Sequence, residues 1–542
     1  MISDTGTADA LLIFPPMHSE RTAGLIDEDL IGDSGHPFEY PQGVLSIASY
    51  LASSTGGKMA FRARVLHLDS HLYQMSSSGD TALSDPDDVE RSACQVAENY
   101  ARSTGARLVG ISVSYYLAEP MALAIAKHLR DALGNEVVIG VGGQEVSYYD
   151  YPHRRPSRNQ LLEEHDYLDF VARRSGEYTM QRMLECLADG DDLKDVLGIS
   201  YRDAEGVHVN HDRGTNDLLN LSSIDNDLLI LPPDTSLADF LGLTNVSLVL
   251  IRGCAHGMCT FCSSRNWFGP MDSMRDLGPL EFDEFFEKCE RTLRGLFDHG
   301  VREVQLLDEA INSSIKYFGR LCDLLKRLRM DYDFRVLAET RADFVEAGEL
   351  ALMREAGVSR LYLGVESASI KVLRAMNKQI EQPLLRDKAL VQTVRERCPE
   401  LMEMEPELQQ IVCACHLVKS AGISLGLFFM VGHPGSSVAE ESRSKWFLET
   451  LFQSGILGEG DSVEIGIFMP LQGTVARSLP GVRLLVEDKR KWGRMSGHAV
   501  CEVSDLETGA VFAQADIEKA FRDMVSVVDT YQDVDGAHRS RW

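Results

Sequence analysis

The sequence predicts an α/β protein made of two successive series of strands and helices. In the first series, to about residue 195, short apolar stretches alternate with helical patterns over short connections. Such alternation favours a doubly wound parallel sheet. A second series, from about residue 241 to 475, contains six further strand–helix units. Six units are typical of a partial (β/α)6 barrel of the TIM type, followed here by a small C-terminal α/β or helical region.

We therefore expect four regions. Residues 1–195 form the first sheet domain, 196–240 a hairpin and linker, 241–475 the partial barrel, and 476–542 the C-terminal region. The strands of the first domain are predicted in ALLIFPP, FRARVLHLD, RLVGISVSYY, EVVIGVGGQEVS and the start of YLDFVARRSGEYTMQRMLECLADG. The hairpin is predicted from VLGISYRDAEGVHVNHDR, which carries Asp-Ala-Glu-Gly at its turn.

The barrel strands are predicted in VSLVLIRG, REVQLLDE, DFRVLAETRAD, RLYLGVES, ISLGLFFMVGHPG and SVEIGIFMP, with helical patterns between them. A longer helical insert, about 382–419, precedes the fifth strand, and Cys413 and Cys415 within it are expected to pack in the core. The C-terminal region ends in a predicted helix near 517–531.

Composition limits the possible functions of the chain. Its 542 residues are 44% hydrophobic and 25% charged, as in ordinary soluble proteins. The formal net charge of −28 opposes general nucleic-acid binding, because most of the surface would repel phosphates. No stretch resembles a signal peptide or a membrane span. The 11 cysteines do not suggest a disulfide scaffold, so we expect a reducing, cytoplasmic setting.

Three cysteines lie close together in RGCAHGMCTFC, at Cys254, Cys259 and Cys262, with the spacing C-x4-C-x2-C. A structural zinc would need a fourth ligand, for which His256 inside the loop is available. A [4Fe–4S] cluster held by three cysteines would leave one iron open for chemistry. The strand-then-loop context and the lack of a second CxxC favour the cluster, and the flanking glycines disfavour three inert core thiols.

This loop, at the end of the first strand of a barrel-like series, resembles that of the radical S-adenosylmethionine (SAM) enzymes. In that family three cysteines bind [4Fe–4S], and the open iron binds the amino and carboxylate groups of SAM. The first gap here has four residues rather than the usual three. Phe261, directly before the last cysteine, matches the hydrophobic position whose backbone meets the adenine.

Later motifs match the same family. LLDEAINS resembles the second strand, where Asp308 and Glu309 are expected near the methionyl amine. SRLYLGVESASIKVLRAMNK resembles the segment in which a glutamate, here Glu366, faces SAM. FFMVGHPG places Gly432 where space is left for the adenosine, and FMPLQGT resembles the closing strand.

The first series resembles the Rossmann-like cobalamin-binding domain carried by a large branch of that superfamily. FPP, YPQGVLSIASYLA, LVGISVSYY, VVIGVGGQEVS and DFVARRSGEYT match its successive strand-end segments. Glycine at a strand end lets the backbone approach a large flat ring. The resemblance implies that the cobalamin contacts are Ser112, Ser114, Gly140, Gly142, Gly143 and Gln144.

A histidine ligand to cobalt is not expected. DSHLYQ partly mimics the D-x-H-x-x-G signature that supplies one, but it lacks the glycine and follows the second strand rather than the first. We expect His71 to be an exposed loop histidine. A nicotinamide cofactor is disfavoured because no G-x-G-x-x-G follows the first strand.

The resemblance implies a cobalamin-dependent radical SAM methyltransferase. Cobalamin would take methyl from one SAM, and the cluster would cleave a second to a 5′-deoxyadenosyl radical that abstracts a substrate hydrogen. Methylcobalamin would then methylate an unactivated carbon or a phosphinate phosphorus of a small natural-product intermediate. Tyr115, Glu177 and Arg341 are candidate catalytic residues, with Tyr116 and Glu145 beside them; a hydrogen-bonding role in the wall of the site is the alternative for each.

Other functions stay open at this point. One is a cobalamin-dependent radical SAM cyclase or rearrangement enzyme, and another is methylation of a ribosomal peptide. A non-catalytic corrinoid or iron–sulfur sensor is a third. A methylthiotransferase is disfavoured because only Cys94 and Cys186 precede Cys254. The expected partners are a small-molecule substrate and an electron donor of the flavodoxin or ferredoxin type, with the protein a monomer that binds neither nucleic acid nor membrane.

Overall fold

The structure, a computed structural model, divides into two compact units. The first comprises the described residues between 7 and 246 together with 278–301, and the second comprises those between 247 and 263 together with 302–532. The described residues are 7–16, 37–53, 59–77, 83, 85–115, 118–148, 160–212, 223–251, 254–263, 278–471, 473–487, 492 and 497–532.

The first unit is built on a predominantly parallel sheet. Its described strands are β1 (Ala10–Phe14), β2 (Phe38–Glu39), β3 (Ala63–His67), β4 (Leu108–Ser112), β5 (Val138–Gly142), β6 (Phe170–Ala172), β7 (Ile199–Asp203), β8 (Gly206–Val209), β9 (Leu229–Ile230) and β10 (Thr244–Asn245). Its described helices are α1 (Gln42–Ala52), α2 (Leu68–Ser77), α3 (Pro86–Thr104), α4 (Glu119–Leu133), α5 (Gln144–Tyr148), α6 (Gln160–Glu164), α7 (Gly176–Asp189), α8 (Leu237–Gly242) and α9 (Pro279–Asp298).

Eight strands form the main sheet in the order β8-β7-β6-β5-β4-β1-β3-β9. The six neighbouring strands β6, β5, β4, β1, β3 and β9 pair in parallel. Strand β7 pairs antiparallel with β6, and β8 pairs antiparallel with β7. The predicted parallel sheet and the predicted hairpin are both confirmed. The hairpin extends this sheet, and β9, from the predicted linker, pairs with β3.

Burial and capping explain why these segments adopt their structures. All five residues of β1 are buried, as a central parallel strand covered on both faces requires. Helix α3 begins where the Asp85 carboxylate accepts from the Asp88 amide, with Pro86 in the first turn, and ends at Gly105 with φ 59°. These are the residue types preferred at the two ends of a helix.

The second unit contains a six-stranded sheet. Its described strands are β11 (Ser247–Leu248), β12 (Glu303–Leu306), β13 (Arg335–Thr340), β14 (Val358–Glu366), β15 (Ser424–Val431), β16 (Ser462–Ile467), β17 (Arg483–Leu484), β18 (Cys501–Ser504) and β19 (Val511–Phe512). Its described helices are α10 (Ile315–Leu328), α11 (Ala347–Glu355), α12 (Ile370–Ala375), α13 (Lys388–Arg397), α14 (Pro406–Ser420), α15 (Val438–Gln453) and α16 (Gln514–Tyr531).

Strands β11 to β16 pair in sequence order, and every neighbouring pair is parallel. This confirms the predicted partial barrel of six strands. The predicted insert is the helix pair α13 and α14, and Cys413 and Cys415 of α14 are fully buried, as expected. The C-terminal region forms a small antiparallel sheet, β17-β18-β19, and helix α16, which packs on α15 and β16. Among the described residues, no helix is both long and apolar enough to cross a membrane.

Candidate functional site

The three clustered cysteines differ from the other cysteines in their exposure. Eight of the eleven cysteines are buried, whereas Cys254, Cys259 and Cys262 are all partly exposed and none forms a disulfide. They lie on the segment after β11, where Gly257 has φ 55° and the Cys262 amide donates to the Cys259 carbonyl (3.3 Å). Partly exposed thiols on an irregular loop are available for ligation, which buried core thiols are not.

Charged side chains at or just after the ends of three neighbouring strands, and Lys378 beyond α12, lie within electrostatic reach of Cys254 and Cys259. Burial raises the pKa of Cys259 to about 11; the positive charges of Lys378 and Arg341 act in the opposite direction, and Glu366 acts in the same direction as burial. Burial also raises the pKa of Cys254, whose sulfur accepts from backbone amides of its own loop. A bound metal would compensate the cost of ionising such thiols.

The loop is tethered to the chain that follows α12. The Asn377 side-chain amide donates to the Met258 carbonyl (3.0 Å), and His256 Nε2 lies 3.2 Å from the Asn377 carbonyl. Within the part of the chain that the structure describes, no three His, Cys, Asp or Glu side chains converge as ligands of a single metal ion. The zinc alternative requires four ligands around one ion, whereas a cubane places each thiolate on its own iron.

Asp308 is buried and fully engaged with the protein. Its Oδ1 accepts from the amides of Leu250 (2.7 Å) and Ile251 (2.9 Å), and its Oδ2 accepts from the Tyr317 hydroxyl (2.7 Å). Burial raises the pKa of Asp308 to about 6, against these hydrogen bonds. These contacts place Asp308 behind the strand end that leads into the cysteines, so its predicted contact with SAM stays a prediction.

Glu366 ends strand β14 in an unusual conformation. Its φ is 62°, which side-chain-bearing residues rarely adopt, and its Oε1 accepts from Lys378 Nζ (2.7 Å) in a buried ion pair. A Cβ at Gly364 would lie 2.5 Å from Nζ and 2.6 Å from Oε1, so glycine there makes room for the pair. Strain at a strand end is typical of functional positions.

Glu339, in AET at the end of β13, is a site residue that the sequence analysis missed. Burial, together with the charges of Glu309, Glu366 and Asp308, raises its pKa to about 8. Carboxylates from β12, β13 and β14 therefore lie close enough to interact. The sequence did contain a signal for this residue. Glu339 lies near the end of β13, the strand between β12 and β14, whose ends carry the predicted residues Glu309 and Glu366.

Arg341 follows β13 and is buried. Its Nε and Nη2 donate to the two oxygens of Asp343 (2.9 and 2.8 Å), and its guanidinium lies 5.4 Å from the centre of the Phe344 ring. The bidentate pair fixes the guanidinium. Its charge still reaches Cys254 and Cys259, so Arg341 contributes to the field at the thiols whether or not it is catalytic.

Gly432 follows β15 with φ 82°, a conformation that favours glycine. A Cβ there would lie 2.8 Å from Ile517 Cγ2 of α16, so the C-terminal helix fills the space beside it. Phe261 lies edge-on to His433, with ring centres 6.3 Å apart. Adenosine contacts by Phe261 and Gly432 stay predictions.

In the first unit, the predicted cobalamin contacts lie at the carboxyl ends of β4 and β5, except Gly140, which is the central residue of β5. Ser112, Ser114, Tyr115 and Gln144 are partly exposed there. Tyr116 lies outside the described residues. Because β4 and β5 are parallel neighbours, these polar groups share one edge of the sheet.

The glycines of β5 and the glycine directly after it have packing reasons of their own. A Cβ at Gly140 would lie 2.4 Å from the Phe170 carbonyl oxygen, and one at Gly143, where φ is 123°, would lie 2.7 Å from the Val113 carbonyl oxygen. A Cβ at Gly142 would meet Ala172 at 3.3 Å. Neighbouring protein therefore accounts for Gly140 and Gly143, and their role in cobalamin binding stays a prediction.

Two acidic candidates in this unit are buried. Glu177, in the first turn of α7, accepts from the Ser46 hydroxyl at Oε1 (2.8 Å). Glu145, in α5, is 2% exposed, and its amide donates to the Val113 carbonyl (3.0 Å). Buried carboxyl groups at a strand-end edge fit either a catalytic or a hydrogen-bonding role.

The expectation that His71 is an exposed loop histidine is wrong. His71 lies in helix α2, is 5% exposed, and places Nε2 3.1 Å from the Ile230 carbonyl. Burial lowers its pKa to about 4. The segment DSHLYQ continues a helix directly from β3, so the histidine faces the core and bonds to β9, a strand that the sequence analysis assigned to a linker.

Comparison with known families identifies the first part of the second series. Residues 248–386 match the family model described as the radical SAM superfamily. This segment is a radical SAM domain. The match begins at β11, six residues before Cys254, and includes the segments that carry Asp308, Glu309, Glu339 and Glu366.

Two curated relatives resemble this chain over about half its length. An uncharacterized methyltransferase of Pyrococcus horikoshii is 27% identical over 267 residues, which cover 48% of this chain and 51% of that protein. The anaerobic magnesium-protoporphyrin IX monomethyl ester cyclase of Synechocystis is 25% identical over 263 residues, 48% of each. The matches therefore span about half the length of these relatives.

Two solved structures resemble the chain along almost all of it. The radical SAM methyltransferase TsrM from Kitasatospora setae, with cobalamin and a [4Fe–4S] cluster bound, gives a TM-score of 0.63 at 13% identity, covering 98% of this chain and 92% of TsrM. The cobalamin-dependent radical SAM enzyme OxsB, with aqua-cobalamin bound, gives 0.58 at 16% identity, covering 98% and 62%. At these identities, the likeness shows that the fold is shared.

Proposed function

We propose that this protein is a cobalamin-dependent radical SAM methyltransferase, which moves a methyl group from SAM by way of cobalamin to a small-molecule acceptor. The observation that carries the proposal is the radical SAM domain, whose three partly exposed cysteines stand apart from eight buried ones. The shared fold with TsrM and OxsB along the whole chain, and the methyltransferase name of the Pyrococcus relative, support it.

The donor set of the second unit fits a [4Fe–4S] cluster and SAM. Cys254, Cys259 and Cys262 would hold three irons, and the cationic Arg341 and Lys378 offset the negative charge that thiolates bring. The carboxyl groups of Glu309 and Glu366 supply the opposite charge, which suits an ammonium or sulfonium group, and such a cation would favour ionisation of Glu339 beside them. With the cluster, SAM and cobalamin bound, the cofactors would supply radical generation and the methyl group.

The chain's own residues would bind and orient these groups. Asp308 fixes the strand end before the cysteines, and Lys378 fixes the rotamer of Glu366. In the first unit, Ser112, Ser114 and Gln144 offer hydrogen bonds at the strand-end edge that would face cobalamin. Such edges of open parallel sheets are the usual ligand-binding position.

The acceptor is proposed to be an unactivated carbon or a phosphinate phosphorus of a small natural-product intermediate. A cyclase is the second candidate, because a relative that matches 48% of this chain is named as a magnesium-protoporphyrin ester cyclase. The two functions differ in what happens to SAM. A methyltransferase forms one S-adenosylhomocysteine for each methyl group moved, and a cyclase that transfers no methyl forms none.

The test is anaerobic reconstitution with iron, sulfide and hydroxocobalamin, followed by reduction in the presence of SAM and mass spectrometry of the nucleosides. We expect bound cobalamin, 5′-deoxyadenosine and S-adenosylhomocysteine. The matched control is Cys259→Ala, which should retain cobalamin and lose the cluster. A reconstituted wild-type protein that binds no cobalamin and leaves SAM intact after reduction would overturn the proposal. Formation of 5′-deoxyadenosine without S-adenosylhomocysteine would favour the cyclase.

A further inference from the structure

The turn after β15, residues 432–436, is held firmly inside the second unit. Glu441 Oε1 accepts from the Gly432 amide (2.9 Å) and from the Ser436 hydroxyl (2.5 Å), and the Ser436 amide donates to the His433 carbonyl (2.9 Å). Glu441, His433 and Ser436 are all buried. A turn braced in this way can position a side chain accurately.

That side chain is His433, which is fully buried behind the cysteine loop. Its ring lies edge-on to Phe468 (5.2 Å between centres) and to Phe261 (6.3 Å). Its Nδ1 lies 2.7 Å from the Pro434 carbonyl, and its Nε2 lies 3.1 Å from Thr260 Oγ1. Within the described residues, the hydrogen bonds and ring contacts of His433 are therefore with its own turn, with Phe468, and with the loop residues Thr260 and Phe261.

The direction of the hydrogen bond between Thr260 and His433 follows from counting the protons on the two side chains. A carbonyl oxygen only accepts, so Nδ1 carries the ring proton that points at Pro434. Burial lowers the pKa of His433 to about 4, so the ring holds one proton near neutrality. Nε2 is then an acceptor, and the Thr260 hydroxyl shares its one proton between Nε2 and the Ala375 carbonyl, which lies 3.2 Å from Thr260 Oγ1.

Thr260 is the residue through which this bond reaches the cysteines. It directly follows Cys259 and lies two residues before Cys262. Its amide donates to the Met376 carbonyl (2.8 Å), and its carbonyl accepts from the Ala476 amide (2.8 Å). The backbone of Thr260 is thus fixed on both sides, and the hydrogen bonds to His433 and to the Ala375 carbonyl fix its side chain.

We propose that His433 is a positioning residue for the iron–sulfur cluster, which holds the Cys259–Cys262 segment in register through the Thr260 hydroxyl. The inference rests on the proposed function, since it assumes that the loop binds a cluster. His433 is not a ligand in this proposal, and it acts only through Thr260. The motif FFMVGHPG, which the sequence analysis related to adenosine, then also supports the cysteine loop.

The experiment compares four variants after anaerobic reconstitution of the full chain. Thr260→Val and His433→Phe each remove one partner of the bond between Thr260 and His433 with little change of volume. Thr260→Ser keeps the hydroxyl, and His433→Gln keeps an acceptor. We expect iron loss to a chelator to be about threefold to tenfold faster in His433→Phe, which corresponds to one lost hydrogen bond, and at least as fast in Thr260→Val, which also loses the bond to the Ala375 carbonyl. The conservative pair should stay within about twofold of wild type. The electron paramagnetic resonance of the reduced cluster should shift in the first two alone.

Two further measurements separate positioning from general damage. Thr450→Val, which removes a buried hydroxyl bonded within α15, is the matched control and should leave iron loss unchanged. The double variant Thr260→Val/His433→Phe should lose iron no faster than Thr260→Val, because the bond to His433 is already absent there. If His433→Phe fails to fold, His433→Leu takes its place, because Thr260→Val also removes the bond to the Ala375 carbonyl.

The outcomes distinguish this inference from the proposed function. A wild-type protein that takes up no cluster overturns both. A wild type that binds the cluster, with Thr260→Val and His433→Phe losing iron at the wild-type rate, overturns the positioning role alone. Additive effects in the double variant would also overturn it.

Discussion

The strand ends of the first unit and those of the second carry predicted site residues of different kinds. In the second unit these residues are thiols and charged groups, and Cys259 lies within electrostatic reach of Lys378, Glu366 and Arg341. In the first unit several are glycines, and the places where their side chains would lie are filled by Phe170 or by the backbone of Val113. A buried charge is costly and so indicates function, whereas sheet packing alone is reason enough for a glycine.

The largest test of this comparison removes a cluster cysteine. Cys259→Ala is expected to lose cluster iron and all reductive cleavage of SAM, because a three-cysteine site has no spare ligand. Iron and sulfide analysis and the visible spectrum measure the loss. Cys413→Ala, at a fully buried thiol, should keep the cluster at a cost of roughly 1 kcal/mol in stability. Equal iron content in the two variants would contradict the contrast between loop and core thiols.

The second test breaks the buried ion pair at the end of β14. Lys378→Met leaves the Glu366 carboxylate buried without its partner, and we expect a loss of roughly 3–5 kcal/mol in the free energy of unfolding. Adding Glu366→Gln should recover most of it, since the unpaired charge is then gone. Denaturant unfolding gives the values. Lys519→Met, from an exposed pair, should cost about 0.5 kcal/mol or less, and a similar loss at both lysines would refute the argument.

The third test addresses the glycines of the first unit. Gly143→Ala forces a side chain onto the Val113 carbonyl at φ 123°, and it should cost about 1–3 kcal/mol in a cobalamin-free protein. Gly43→Ala is the control, because nothing lies within 4 Å of its would-be Cβ in helix α1. Thermal or denaturant unfolding of the two variants measures the difference in stability. Unchanged stability of Gly143→Ala combined with weaker cobalamin binding would restore the direct cofactor role.

The smallest effect is a pH dependence shared by both units. Burial raises the pKa of Glu441 in the second unit and of Glu39 in the first to about 7, from 4.5. A carboxyl group with a raised folded pKa stabilises the fold fully below pH 4.5 and loses that contribution as the pH rises through 7. The free energy of unfolding should therefore fall less steeply with rising pH in Glu441→Gln and in Glu39→Gln than in wild type, by up to about 1.4 kcal/mol per pH unit for each.

Unfolding free energies of each variant, subtracted from those of wild type at matched pH between 5 and 7.5, measure this effect. The subtraction removes the opposite contribution of buried histidines such as His71, whose lowered pKa acts as the pH falls. A difference that does not change with pH would show that the two carboxyl groups are ionised in the fold.

The sequence predicted the large features correctly, and it was wrong or silent where distant segments meet. The six parallel strands of the second unit, the parallel first sheet and the core positions of Cys413 and Cys415 were all predicted. His71 was expected in an exposed loop, because no local pattern shows that β9 returns from residue 229 to bond it. Glu339 was overlooked, because its importance comes from the carboxylates on the strands to either side.

By itself the sequence determined the order of strands and helices, the cysteine spacing and the strand ends at which polar groups gather. These follow from local periodicity and from the rule that parallel strands end at one edge. Only the tertiary structure decided which of those groups are already engaged. Asp308 supports the strand before the cysteines, and His433 reaches their loop across 173 residues of chain. Such contacts depend on packing between distant segments, and no short stretch of sequence encodes them.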